Sequence, residues 1–466
     1  MINQKAFIAI VKDLLIDEKI QTIKKVSITE FKIGKNYLYK VNNNKLIKIQ
    51  KRFHNYLQKN IPLNNSAVAF RKDLSYLHLF EPHRKNYYFL RLDIRSFFHS
   101  IEVEDIKDVF KEYISEDEYI DKKKKQTLLD AFINIVTYKI PKNSPNEKFR
   151  GKQILPMGFL TSPIISNIIF RQLDIQIQKL CSLKKIEYTR YADDMLFSSE
   201  KGFSYVHSDD FIKEIRIIIG KMNFKLNEYK TVKSTHTLSL NGYTIQYDEI
   251  IYDEIDNFPI AYEILGTNQI EYETKKIHEL RLSNKKTNII KKMIHMILKE
   301  KKAPNIILKK LFNYKLKFEC DKESYEKYNS EQLLHKVLGY RSYLLSIVQF
   351  DKKYHCTQED TIAKYVKIID NLEKVAEKYQ VKLEKLEKIV EKKRKSLKDM
   401  SNISVDDLSL SLSLKNKLKE AKFKTLKDFY RVSERDLVSK VNGVGEVNAR
   451  KIMKVINIEV KKYNFT

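Results

Sequence analysis

The spacing of apolar residues changes period several times along the chain, and each change marks an expected element. Residues 1–60 read as mostly helical, with Ile8, Val11, Leu14 and Leu15 on one face at the helical period. The stretch KLIKIQKRFHNYLQKNI, Lys45 to Ile61, is a second amphipathic helix with a basic face. In YYFLRLDIRSFFHSI, Tyr87 to Ile101, the period falls to two: Leu90, Leu92 and Ile94 alternate as in a strand, which puts Asp93 on the opposite face. That strand should end near Ser96, where Phe97, Phe98 and Ile101 open a helix. Lys107 to Tyr138 reads as helix, Pro141 to Gly151 as loop, and Ser162-Pro163 as the start of a helix carrying Ile165, Ile168 and Ile169. YTRYADDMLFSS, Tyr188 to Ser199, has β-favouring residues on both sides of two adjacent aspartates, the pattern of strand, tight turn and strand. Ser208 to Asn223 is helical with Phe211, Ile215, Ile218 and Ile219 inward. Thr237 to Ile245 alternates as a strand, with Lys230 in the turn before it.

The C-terminal half is more uniform. Lys275 to Gln349 reads as helical and basic. No glycine or proline lies between Gly339 and Gly443, and within that span Glu359 to Met400 is rich in Lys and Glu. Spaced apolar residues there (Ile369, Leu372, Val375, Leu383, Leu386 and Ile389) predict a long helix or helical hairpin. From Ser401 the character changes to a compact tail domain of short helices.

Charge narrows the partners. With 88 Lys and Arg against 60 Asp and Glu, the net charge of +28 favours a polyanion, because each neutralised phosphate releases condensed counterions. The 28 Tyr and 24 Phe supply stacking surfaces, so nucleic acid is the expected partner. No apolar run is long enough to cross a bilayer, and the N-terminal stretch lacks the features of a signal peptide. Cys181, Cys320 and Cys356 are far apart, with neither metal-ligand spacing nor a disulfide framework, so a reducing cytoplasm is the expected location.

The candidate chemistry begins with Asp193 and Asp194. On a flat strand neighbouring side chains face opposite ways, so two adjacent aspartates meet at one site only where the backbone turns. Adjacent carboxylates repel unless a cation lies between them, and a divalent metal is the usual one. Asp93 is a carboxylate on a strand bounded by apolar residues, which must be edge-exposed or paired in a site. In ILPMGFLTSPIISNIIF, Ile154 to Phe170, Gly158 permits close backbone approach and precedes a helix N-terminus that could receive phosphate. Arg71 and Lys72 alone read as a solvated surface pair.

In chain order, LDIRSFF (Leu92–Phe98), PMGFLTSPIISN (Pro156–Asn167) and YADD (Tyr191–Asp194) resemble the palm motifs of a reverse transcriptase. KLNEYKT (Lys225–Thr231) is similar to that family's NxxKT element, and LSLNGYTI (Leu238–Ile245) stands where related bacterial enzymes carry a VTG-type strand. The resemblance covers roughly residues 40 to 350. It implies an α+β right-hand polymerase with fingers, a palm built on an antiparallel sheet and a helical thumb, followed by an α-helical extension and a small terminal domain. The implied division is 1–92 N-terminal helices and fingers, 93–255 palm with an inserted fingers segment, 256–350 thumb, 351–400 helical linker and 401–466 tail domain.

The same resemblance implies roles. Asp93, Asp193 and Asp194 would hold two Mg²⁺ ions, with Mn²⁺ as a substitute, and the backbone carbonyl of Ile94 would contribute. Lys230 would lie near the pyrophosphate and could donate a proton. Phe98 would be the aromatic gate beneath the sugar, and Arg71 and Lys72 would contact the incoming triphosphate. Met157 and Gly158 belong to the nucleotide site, and Met157 replaces the family's usual glutamine, which leaves substrate choice open. The retron-type NAxxH element is absent where FRKDLSYLHLFEPH stands (Phe70–His83), which favours the stand-alone, defence-associated groups over a true retron enzyme.

Val405 to Ile452 resembles the C-terminal domain of the RNA polymerase α subunit, a helix-hairpin-helix fold. That resemblance implies nucleic-acid contacts from Asn416, Gly443, Gly445 and Lys451, although Ser413 stands where the family has its main DNA-contacting arginine. Docking of a protein or of a second copy through the helical linker and tail domain stays open. The expected function is RNA-directed DNA synthesis on a partner non-coding RNA in antiphage defence, using deoxynucleoside triphosphates and yielding DNA. Template-independent or protein-primed synthesis at the same site, and a non-catalytic RNA-binding scaffold, stay open as alternatives.

Overall fold

The structure is a computed structural model that describes residues 2–16, 19–20, 28–34, 36–121, 125–251, 274–430 and 432–462. The chain divides into two compact units, Met1–Lys285 with Ile347–Ile362, and Lys286–Ser346 with Ala363–Thr466.

The first unit is organised by a four-stranded antiparallel sheet. Its central strand, Tyr88–Asp93, lies between Asp194–Ser199 and Val232–Thr235, and Glu187–Tyr191 completes the far edge. Register pairs Asp93 with Asp194 and Leu90 with Phe197. One face is apolar: Leu90, Leu92, Met195 and Phe197 join a core with Ile165, Ile169 and Leu173 of the helix Ser162–Leu183 and Phe211 and Ile215 of the helix Asp209–Gly220. Strand alternation then forces Arg91 and Asp93 onto the other face.

Several expectations need correction. Residues 1–60 are not mostly helical: between the helices Gln4–Val11 and Asn44–Asn60 lies an antiparallel hairpin, Ile28–Ile33 with Asn36–Val41. The first helix buries Phe7, Ile10 and Val11, while Ile8 is exposed. The expected helix from Lys107 to Tyr138 is interrupted. Val103–Phe110 and Leu128–Val136 are helical, and the strand pair Tyr119–Asp121 and Gln126–Thr127 lies between them. Thr237–Ile245 is not one strand, because it reverses at Asn241-Gly242, both at positive φ, as a two-residue hairpin turn demands. Lys275–Gln349 opens with a strand, Thr274–Leu282, before the helices Asn284–Leu298, Pro304–Phe312 and Lys322–Tyr354. The central strand straddles the expected boundary at 92/93, and the helix Lys322–Tyr354 straddles that at 350/351. The boundary at 255/256 lies outside the described residues.

The long helix spans Glu359–Met400. The tail has its own core, including Val405, Leu418, Leu426, Leu437 and Ile452. No helix among the described residues is long and apolar enough to cross a membrane.

On the sheet face that carries Asp93, a buried imidazole closes the other end. His83 Nε2 lies 2.8 Å from Thr189 Oγ1, and Nδ1 lies 2.6 Å from Ser198 Oγ. Thr189 donates its hydroxyl to the Leu79 carbonyl, so it must accept from Nε2–H. Ser198 accepts from the Asn86 amide, so its hydroxyl is free to donate to Nδ1. Every member is satisfied only when the ring is neutral, and burial pushes the His83 pKa down to about 3. Although its segment departs from NAxxH, it still ends in a histidine that ties the Glu81–His83 turn to two strands of the sheet.

The sign of the linkage follows. Below pH 6.5 the unfolded chain protonates His83 and the folded chain does not, so this contribution to stability is present above pH 6.5 and is lost as pH falls towards 3. Chemical denaturation at pH 7.5 and pH 5 should show a loss of about 2 kcal/mol attributable to this group. In His83→Gln the loss between the two pH values should shrink by that amount.

Candidate active site

The aspartates meet at one end of the sheet because of a two-residue turn. Tyr191 pairs with Asp194, leaving Ala192 and Asp193 as the loop, and Ala192 has φ +56°. An alanine in the left-handed region is strained by about 1 kcal/mol or more and persists only where its surroundings hold it. Two groups hold this turn. The Ile94 N–H donates to the Asp193 carbonyl at 2.9 Å, and Arg190 Nη1 donates to the Ala192 carbonyl at 3.0 Å.

Arg190 is wholly buried on the apolar face of the sheet. Its guanidinium forks onto Asp174 of the helix Ser162–Leu183, at 2.9 Å to Oδ1 and 2.7 Å to Oδ2, and lies 4.4 Å from the centre of the Phe170 ring. The Tyr188 hydroxyl donates to Asp174 Oδ1 at 2.8 Å. The Arg190 backbone also pairs with the loop at residues 66–68, through Arg190 N–H to Ser66 O and Val68 N–H to Arg190 O.

On the open side Asp93 is 3% exposed. Lys230 Nζ donates to Asp93 Oδ2 at 2.8 Å, and Asn227 Nδ2 donates to Oδ1 at 3.0 Å. The Asn227 N–H also donates to the Asp93 carbonyl, fixing the loop before Val232–Thr235. Arg91, two residues before Asp93 and so on its face, donates from Nε to Asp194 Oδ1 at 2.9 Å, and its Nη2 lies 3.9 Å from Asp93 Oδ2. Asp193 has a raised pKa, first from burial and then from the charges of Asp194 and Asp93.

Lys230 and Arg91 thus stand where positive charge is needed, and no three acidic or histidine side chains lie within metal-holding reach among the described residues. The donor set nevertheless fits Mg²⁺ in kind, because three aspartates offer carboxylate oxygens. Lys230 and Arg91 would compete with such an ion for Asp93 Oδ2 and Asp194 Oδ1.

The other expected nucleotide residues are placed as follows. Phe98 is half-buried, with ring centres 5.4 Å from Phe97 and 6.3 Å from Phe70. Arg71 donates to the Asn64 and Ala67 carbonyls, and Lys72 is exposed. The Met157 carbonyl accepts from Tyr39 N–H at 2.8 Å. Gly158 has φ +113°, and a Cβ there would lie 2.7 Å from Tyr39 O, so the close approach expected of this glycine is made by the strand Asn36–Val41. In the tail, Asn416 and Lys451 are exposed, and Gly445 caps the helix Glu446–Lys461. The Gly443 carbonyl accepts from Lys417 Nζ at 2.9 Å.

A cavity of about 870 Å³ adjoins the loop that leaves Asp93. Arg95, Lys107, Lys148, Lys152 and Lys225 line it, beside His99, whose pKa burial and Lys148 push down to about 4. The sequence reading passed over Arg91, Asn227, Arg190, Asp174 and this basic wall. Arg91 could have been found from the alternation that placed Asp93, and Asn227 from the NxxKT match itself. Nothing in the sequence pairs Arg190 with Asp174.

The profile of the family described as "Reverse transcriptase (RNA-dependent DNA polymerase)" matches residues 23–272. The Retron Ec73 reverse transcriptase of Escherichia coli is 30% identical over 213 residues, covering 44% of this chain and 63% of that protein. The Retron Ec83 reverse transcriptase of the same organism is 27% identical over 199 residues, covering 42% and 60%. The chain therefore spans somewhat under two thirds of these relatives. Among solved structures, apo telomerase from Candida tropicalis truncated from its C-terminal domain has 15% identity and a TM-score of 0.30, covering 47% of this chain and 53% of that one. A score that low carries no argument.

Two stability changes follow from the buried contacts. Asp174→Ala leaves the Arg190 guanidinium without a counter-charge in the core and should cost about 3–5 kcal/mol in chemical denaturation. The double change Asp174→Leu, Arg190→Met should recover most of that loss. Gly158→Ala drives a Cβ into Tyr39 O at a positive φ and should cost about 1–3 kcal/mol by the same measurement.

Proposed function

The chain belongs to the reverse transcriptase family, and from that premise we propose that it is an RNA-directed DNA polymerase that copies a partner non-coding RNA. The observation that carries this reading is the placement of Asp93, Asp193 and Asp194 at one end of an antiparallel sheet, with Lys230 paired to Asp93. Three carboxylates brought together beside two cations have no structural purpose that fewer charges would not serve.

When bound, divalent metal supplies Lewis acidity at the α-phosphate and activates the primer hydroxyl. Asp93, Asp193 and Asp194 would provide oxygen ligands for it, and the Ile94 carbonyl would add another. Lys230, released from Asp93, is positioned to donate a proton to the departing pyrophosphate. Phe98 lies beneath the sugar and disfavours a 2′-hydroxyl, while Arg71 and Lys72 meet the triphosphate through the N–H groups not spent on the loop. The basic cavity at Arg95, Lys148 and Lys225 gives further phosphate-binding charge beside the same loop.

An antiphage setting is favoured only by the departure of the Phe70–His83 segment from the retron-type NAxxH element. Template-independent synthesis has one observation in its favour: Met157 offers a thioether where an amide would read the incoming nucleotide.

The test is to purify the protein from cells with its bound nucleic acid and to sequence both RNA and DNA. The Asp193→Ala, Asp194→Ala double variant, checked for folding by circular dichroism, is run beside it. DNA complementary to one bound RNA, absent from the variant, is the expected result. Untemplated DNA would instead establish the template-independent reading, and bound RNA with no DNA in either sample would leave only a scaffold.

A further inference from the structure

The second unit contains a cavity of about 510 Å³ formed wholly by chain beyond the family match at residue 272. Besides Ile297 of the helix Asn284–Leu298, three elements wall it: the turn before and start of the helix Pro304–Phe312, the start of the helix Lys322–Tyr354, and the middle of the helix Glu359–Met400. Each contributes lysine: Lys301 and Lys302 from the first, Lys322 from the second, Lys378 and Lys382 from the third. The one acidic residue of the lining, Glu326, is taken by Lys382 at 2.7 Å. Lys301, Lys302, Lys322 and Lys378 make no ion pair with any described residue. Four like charges facing one half-open space repel one another and are better satisfied by an anion than by water alone.

The remaining lining says which anion. Tyr325 and Tyr379 offer aromatic surface, and Asn305 and Asn329 offer amides. Tyr325 is 38% exposed, so its ring is open to a stacked base. Tyr379 is 6% exposed, and burial followed by the charge of Glu326 pushes its pKa up to about 12, so its hydroxyl stays protonated. Lysine is a point charge without the fixed fork of arginine, and lysines spread over three elements suit a flexible backbone better than one rigid phosphate.

We infer that this cavity is a single-stranded RNA anchor, holding phosphates against Lys301, Lys302, Lys322 and Lys378 with a base against Tyr325. The inference rests on the reading that this chain works on RNA, and it adds a site for that RNA outside the family-matched stretch. A mononucleotide carries the same phosphate chemistry, so the test separates the two sources.

Binding of a fluorescein-labelled single-stranded RNA of twenty nucleotides is measured by anisotropy across a salt series. Wild type is compared with Lys302→Gln/Lys378→Gln and with Lys385→Gln/Lys388→Gln. The second pair removes the same charge from exposed positions of the long helix that do not line the cavity. The cavity variant should bind RNA about tenfold more weakly, with the slope of log K against log salt reduced by about 1.4, the value for two lost phosphate contacts. The control should change by less than about twofold, and ATP at millimolar concentration should not displace the RNA. Equal loss in both variants, or unchanged RNA affinity with loss of ATP binding in the cavity variant, overturns the anchor. If wild type makes no templated DNA but the cavity variant still loses RNA affinity, the polymerase reading fails and the anchor stands. If wild type polymerises and both variants bind RNA as it does, the anchor alone fails.

Discussion

The ion pair between Arg190 and Asp174 is the constraint on which the geometry of the candidate site depends. A buried pair is an uneven bargain: desolvation costs several kcal/mol per charge, and the attraction repays it only when every polar atom is also hydrogen-bonded. Here the fork is two-pronged, the Tyr188 hydroxyl takes up Asp174, and the third guanidinium nitrogen, Nη1, donates to the Ala192 carbonyl. What that satisfied network secures is position. It fixes a hairpin strand to the helix Ser162–Leu183 and anchors the strained residue immediately before Asp193. The same residue's backbone pairs with the loop at 66–68, so the segment leading to Arg71 is referenced to the same point.

The open face of the sheet has the opposite problem. There the charges are carboxylates, and the chain supplies its own counter-charges from Lys230 and Arg91. Asp193 has a raised pKa, first from burial and then from the charges of Asp194 and Asp93. Carboxylates placed so near one another repel, and two monovalent side chains offset that repulsion only in part. Asn227 adds an uncharged hydrogen bond to Asp93 Oδ1 beside the charged one from Lys230 to Oδ2, so the carboxylate is oriented from both sides.

How far the sequence reached depended on whether the deciding interactions were local. The alternation of Leu90, Leu92 and Ile94 placed Asp93 correctly, and the turn at Asp193 followed from the need to bring adjacent carboxylates together. The helix Glu359–Met400 was legible because composition and period agree over its whole length. The hairpin Ile28–Val41 was misread because it buries little and its strands pair mainly with each other, so its period-two signal is faint. Asn241-Gly242 carried a hairpin signal that alternation on both sides obscured. The fourth palm strand, Val232–Thr235, is mostly exposed and offers no apolar pattern, and its place comes from pairing with the central strand. Arg190 and Asp174 are 16 residues apart on different elements, and only the tertiary fold makes them partners.

A matched motif also does not say what each of its residues touches. Gly158 sits in the motif expected to receive the nucleotide, yet the atoms that exclude a side chain there belong to Tyr39. The adjacent Met157 carbonyl and the Leu160 N–H are likewise occupied, by Tyr39 N–H and by the buried amide of Gln50, which in turn donates to Ile135 O. The loop is therefore a junction joining the strand Asn36–Val41 and the helices Asn44–Asn60 and Leu128–Val136 to the start of the helix that carries Asp174. Its glycine is needed for that junction whatever the ligand. A substitution at Gly158 therefore acts first on the position of the segments that meet here, while the side chains of Met157, half-buried, and Leu160, exposed, are not spent on the junction's hydrogen bonds.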